Sequence, residues 1–175
     1  MTSLRNLPPE RRASLPVALL LFLAFSLLSD PGLRQLPSFT LKDQFGNAHD
    51  CHFPAKTVRI LTLADKKGAA EVLVWVRHLK RRYGHRITIE GIANVTGVPA
   101  PLRPMVRERF KKDFPHPVML DWSGAAVEML KPRKNLANVY AVDRQGLLLL
   151  SMAGPPTEAN LAALFAAIDK ALAAP

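Results

Sequence analysis

The sequence predicts an α/β domain built on a mixed sheet with helices on both faces, preceded by an N-terminal export or anchoring segment. Three observations carry that expectation. Apolar runs of strand length alternate with helix-period segments from Pro37 onward. The last two apolar runs flank a hairpin turn, and a basic then apolar stretch fills the first thirty or so residues.

The chain has 175 residues, 49% of them hydrophobic and 22% charged, enough for one domain with a proper core and a short appendage. Residues 1–30 read as a signal peptide or membrane anchor, 31–36 as a linker and 37–175 as the domain. Arg5, Arg11 and Arg12 precede the apolar run Val17 to Leu28, which only Ser26 interrupts. As a helix that run spans roughly 18 Å, short of a hydrocarbon core of ~30 Å, which favours a signal peptide over a spanning anchor. The cleavage site is poor: Ala24-Phe25-Ser26 lies inside the run, and Leu27 is too large ahead of Ser29. An uncleaved tether therefore stays open. Ser14 weakens a twin-arginine reading of Arg11-Arg12. Either topology leaves the arginines inside and the domain outside the cytoplasm, periplasmic or membrane-anchored, where nucleic acid is not an expected partner.

Phe39-Thr40-Leu41 is a short strand, Gln44 to Asn47 a turn, and His49 to Phe53 the returning partner. Val58 to Leu63 is a strand apolar on both faces. A helix from Ala69 to Tyr83 places Val72, Trp75, Val76, Leu79 and Tyr83 on one face, and Gly84 ends it. Ile87, Ile89 and Ile92 mark the next strand. A helix follows with Leu102, Met105, Val106 and Phe110 on one side, then a strand at Val118-Met119-Leu120 and a short helix from Gly124 to Leu130. Val139 to Val142 and Leu147 to Leu150 flank the turn Asp143 to Gly146. Thr157 is the N-cap of a last helix carrying Leu161, Leu164, Phe165, Ile168 and Leu172.

This order, a leading hairpin, a βαβ core, a further helix and a closing ββα, resembles the redoxin (thiol-specific antioxidant-like) branch of the thioredoxin-like superfamily. The resemblance runs from about Leu36 to Leu172. It rests on Phe39-Thr40-Leu41-Lys42-Asp43 with Gly46, on Phe114-Pro115 leading to Leu120-Asp121, and on Val139 to Gly146. It implies a thioredoxin-like sheet, with chemistry where the first central strand enters its helix.

At that junction the family's cysteine pair is missing, and the chain reads Ala64-Asp65-Lys66-Lys67-Gly68-Ala69. The position of the family's cis-proline holds Ala137 or Asn138, where a cis peptide would cost ~3 kcal/mol, so a trans bond is expected. With one cysteine, Cys51, no internal disulfide can form.

Four residues, Asp65, Lys66, Lys67 and Gly68, are the candidate binding loop: Asp65 as a helix cap, free amides beyond it for an anion or acidic peptide, and two lysines adding charge. The alternative is a capped surface loop with solvated lysines. Cys51 is the candidate catalytic residue, acting through mixed disulfides, against the alternatives of a small core residue or a thiol that pairs with a partner. His49 and Cys51 share a strand face and are candidate copper or zinc ligands, with His78, His85 and His116 as the only distant help. No cofactor is expected.

Twenty-four lysines and arginines against fourteen acids give a net charge of +10, with basic clusters at Arg77 to Arg82, Arg103 to Lys112 and Lys131 to Lys134. Such charge attracts acidic partners, and anionic lipid if the N-terminus is embedded. The sequence thus points to a binding or accessory protein with a protein or peptide partner. A redoxin-class oxidoreductase working through Cys51 is the alternative, and a metal-handling envelope protein the second.

Overall fold

A computed structural model describes residues 34–174; the export or anchor segment predicted over 1–30 lies outside the described residues. Strands β1 (Arg34–Gln35), β8 (Leu147–Ala153), β7 (Asn138–Val142), β4 (Val58–Ala64), β5 (Ile87–Asn94) and β6 (Met119–Asp121) form one sheet in that order. Pairing of β4 with β5 and of β5 with β6 is parallel, whereas β7 runs antiparallel to both β4 and β8. Strands β2 (Phe39–Lys42) and β3 (Ala48–Cys51) make a separate antiparallel hairpin. The helices are α1 (Ala69–Tyr83), α2 (Arg103–Asp113), α3 (Ala125–Leu130) and α4 (Glu158–Ala173).

Strand alternation divides the interior into two cores. Val58 and Ile60 of β4 face one side, packing with Trp75, Leu79 and Tyr83 of α1 and Leu164 and Ile168 of α4. Leu61 and Leu63 face the other, under the hairpin and α3, with Leu36, Cys51, Ile92, Met119, Leu130 and Tyr140. Each large aliphatic buried this way contributes about 1.5–3 kcal/mol. The Trp75 indole N–H donates to the Gly154 carbonyl at 2.9 Å, so this core carries no unpaired indole. The Thr157 hydroxyl accepts from the Asn160 amide at 3.2 Å, capping α4.

Two expectations are corrected. The segment 31–36 is not all linker: Arg34 and Gln35 pair with β8, and Leu36 is buried. Nor does α2 bury the predicted stripe. None of its residues is fully buried; Met105 is 63% exposed and Leu102 45%. Leu102 belongs to a preceding 3-10 turn, outside the α-helical register, and Met105 lies about 100° around the helix from Val106. Of the predicted stripe, Val106 and Phe110 are half-buried, and Phe110 stacks on Phe114 at 5.4 Å between centroids.

Candidate functional site

The central strand β4 ends at Ala64 and α1 begins at Ala69, so residues 65–68 form the loop at the C-terminal end of the sheet, where open α/β sheets bind ligands. Asp65 organises that loop. Its Oδ1 accepts from the amides of Lys67 (2.9 Å) and Gly68 (3.2 Å), and its Oδ2 from the amide of Asn135 (2.7 Å). Burial pushes the carboxyl pKa up, but the Asn135, Gly68 and Lys67 amides and the Lys67 charge outweigh it, and the net shift is downward. Asp65 is not the helix cap that the sequence suggests. Gly68 occupies the N-cap position, with no side-chain cap. The amides of Lys67 and Gly68, read from sequence as free for an anion, are taken by the carboxylate.

Gly68 is required by a close approach. A Cβ there would lie 2.3 Å from both the carbonyl carbon and the oxygen of Leu136. Its φ of −78° is ordinary, so space, not backbone freedom, dictates the glycine. The facing segment, residues 131–137, is shaped by Asn138. The side-chain oxygen of this buried residue accepts from the Arg133 amide (2.8 Å), and its nitrogen reaches the carbonyls of Arg133 (3.0 Å), Leu136 (3.0 Å) and Leu63 (3.2 Å). Asn135 adopts the left-handed conformation at φ 64°, which asparagine tolerates better than most residues. Among the described residues the cis peptide is Phe53–Pro54, and the bonds at Ala137 and Asn138 are trans, as expected without proline.

Cys51 occupies a different environment. It is fully buried, and its thiol donates to Glu90 Oε2 at 3.3 Å. Arg59 Nη1 reaches the same carboxylate oxygen at 2.7 Å, the two side chains each being 15% exposed. Burial first, then the Glu90 charge and its hydrogen bond, push the thiol pKa from about 9 to about 12, against the opposing pull of Arg59. Glu90 pairs in register with Leu61, four residues before Asp65 along the central strand. That separation is about 13 Å along the strand.

His49 shares the inward face of β3 with Cys51, as alternation predicts, yet the two side chains have separate partners. His49 Nε2 lies 2.8 Å from Asp43 Oδ2, and among the described residues no three His, Cys, Asp or Glu side chains converge as a metal site. A shallow groove of about 400 Å³ is lined by Arg34 to Pro37 with Ala125, Glu128 and Met129; it includes neither Asp65 nor Cys51. No described helix is long and apolar enough to cross a membrane.

Sequence reasoning missed two parts of this geometry, the seat of Asn135 on Asp65 and the clamp formed by Asn138. The available signal was a polar asparagine at the head of an otherwise apolar strand, next to a second asparagine three residues earlier.

No family model matches the sequence, and no curated protein matches it. Solved structures do. A thiol:disulfide interchange protein of the thioredoxin family from Chlorobium tepidum is similar at 18% identity, covering 82% of this chain and 99% of its own, with a TM-score of 0.54. The pneumococcal exposed lipoprotein thioredoxin Etrx1 from Streptococcus pneumoniae is similar at 15% identity, 75% and 98% coverage and a TM-score of 0.56. BsSco, a member of the Sco family of cytochrome c oxidase assembly proteins, is similar at 14% identity, 84% and 98% coverage and a TM-score of 0.58. The chain has the thioredoxin-like fold, on a mixed sheet with helices on both faces.

Proposed function

We propose that this chain is a thioredoxin-like binding protein without thiol chemistry, working outside the cytoplasm, that docks a protein partner at the Asp65–Gly68 loop. One observation carries the reading: that loop holds two exposed lysines on a hydrogen-bonded frame, while the sole thiol is buried beside a carboxylate. A nucleophilic cysteine needs an accessible thiolate, usually drawn out by a helix N-terminus or a neighbouring cation. Cys51 has a pKa of about 12 and no exposed surface. The setting outside the cytoplasm is supported by the basic then apolar N-terminal sequence and by the likeness to an exposed lipoprotein thioredoxin.

Chemical cross-linking of the full chain in its native envelope, read by mass spectrometry, tests the reading. The Cys51→Ala protein keeps its cross-linked partners, and the Lys66→Glu/Lys67→Glu protein loses them. Partners that vanish with Cys51 and survive the lysine reversal would turn the assignment to redox chemistry through that thiol.

A further inference from the structure

The loop at Asp65 does not present its lysines alone. The Asp65–Asn135 hydrogen bond and the close approach of Gly68 to Leu136 and Ala137 hold residues 135–137 against residues 65–68, and Asn138 ties Arg133 to the same segment, although some seventy positions separate Asp65 from Asn135 in sequence. Lys131, Arg133 and Lys134 thereby join Lys66 and Lys67 at the same end of the sheet. All five side chains are exposed, and among the described residues none of them makes an ion pair. Asp65 is the carboxylate between the two segments, and its oxygens are engaged by three backbone amides. Glu71, in the first turn of α1, is half-buried.

We infer that these two loops form one composite site, Lys66, Lys67, Lys131, Arg133 and Lys134, for an acidic segment of a protein partner. The inference rests on the proposed binding role and names the chemistry of what is bound. Three features select an acidic polypeptide over other polyanions. Large exposed apolar side chains occur at Phe45, Leu73, Val74, Leu102 and Met105, and none falls in residues 65–68 or 131–137, so a lipid surface finds no anchor there. Neither segment carries an aromatic ring on which a nucleobase would stack. Both loops are pinned, one by Asp65 and the other by Asn138, so the backbone that carries the charges is set in advance and a chain of carboxylates has only the exposed side chains to order.

The test uses the full chain and a fluorescein-labelled peptide of alternating glutamate and glycine, with the glutamine version as control, read by anisotropy at several salt concentrations. The glutamate peptide binds, the glutamine peptide does not, and affinity falls as salt rises. Lys131→Glu/Arg133→Glu/Lys134→Glu and Lys66→Glu/Lys67→Glu each weaken binding by about tenfold or more. Arg77→Glu/Lys80→Glu/Arg81→Glu, a charge-matched reversal on exposed residues of α1, changes it less than about threefold. Circular dichroism and melting of each variant confirm that it folds. Equal losses from the α1 reversal would reduce the effect to net charge and overturn the inference. So would tighter binding to phosphatidylglycerol vesicles or to single-stranded DNA than to the glutamate peptide. If the 131–134 reversal is silent while the Lys66/Lys67 reversal abolishes partner cross-linking, the composite site fails and the proposed function survives. If the Lys66/Lys67 reversal leaves cross-linking intact, the proposed function itself fails.

Discussion

The pocket around Cys51 and the loop around Asp65 are each organised by one carboxylate, with opposite chemical results. Glu90 is held by Arg59 inside the domain, and its negative charge makes ionising the adjacent thiol harder. Asp65 sits near the surface, where three backbone amides take up its oxygens, and among the described residues the neighbouring lysines make no ion pair. The same functional group silences a nucleophile in one place and frees cations in the other. Which outcome follows depends on whether the carboxylate meets a cation or the backbone.

The contrast is broken most severely at Arg59. Arg59→Met leaves Glu90 without its cation in a mostly buried site and is expected to destabilise the fold by about 3–5 kcal/mol in urea unfolding. Arg59→Met/Glu90→Leu restores most of that loss, because the pair is removed together. A single variant no worse than about 1 kcal/mol would mean that the ion pair does not hold this pocket.

On the surface side, Gly68→Ala forces a methyl group into the Leu136 carbonyl and costs about 2–3 kcal/mol. It also lowers protection of the Asn135 amide in hydrogen exchange, while amides in the centre of β4 keep theirs relative to global stability. Uniform loss across both would show that the glycine supports the whole domain and not the loop junction.

A pH titration sharpens the comparison further. The Cys51 pKa is raised on folding, so the unfolded thiol ionises first. Its contribution is complete below about pH 9 and shrinks as pH climbs toward about 12. Stability should fall by about 1.4 kcal/mol per pH unit over that window. Cys51→Ala should lack that component, and identical alkaline slopes for the two proteins would contradict the environment assigned to the thiol.

The smallest effect is on the acid side. Asp43, like Asp65, has its pKa lowered: burial acts upward but is overcome by hydrogen bonds from His49, Asn47 and Phe45. A depressed carboxyl stabilises the fold above its ordinary value of 3.8, and the contribution disappears as pH falls below it. Asp43→Asn and Asp65→Asn should each cost about 1 kcal/mol at pH 7 and flatten the loss of stability between about pH 5 and pH 2. An unchanged acid limb would show that the turn hydrogen bonds do not favour the ionised form.

Hydrophobic period was the dependable guide along this chain. It located α1 from Ala69 to Tyr83, the paired runs around Asp143 to Gly146 and the Thr157 cap, because each is decided by residues within a few positions of one another. It failed at Leu102, which falls in a 3-10 turn outside the helical register, and at Met105, both apolar residues that the fold leaves exposed. For the site, sequence identified the Asp65–Gly68 loop by its place after the central strand. It also placed His49 and Cys51 on one face of β3, and could not tell that they turn to different partners.

From sequence came the order of the strands from β2 onward and of the helices, the count of one thiol and the surplus of positive charge. These follow from composition and from periodicities of two and 3.6 residues, which are local properties. The folded arrangement decided that Cys51 lies against Glu90, that Asp65 meets the backbone of Asn135, and that the segments carrying Lys66 and Lys67 and Lys131, Arg133 and Lys134 lie at one end of the sheet. Those neighbours are set by sheet register and loop packing across distant parts of the chain, and no local pattern encodes them.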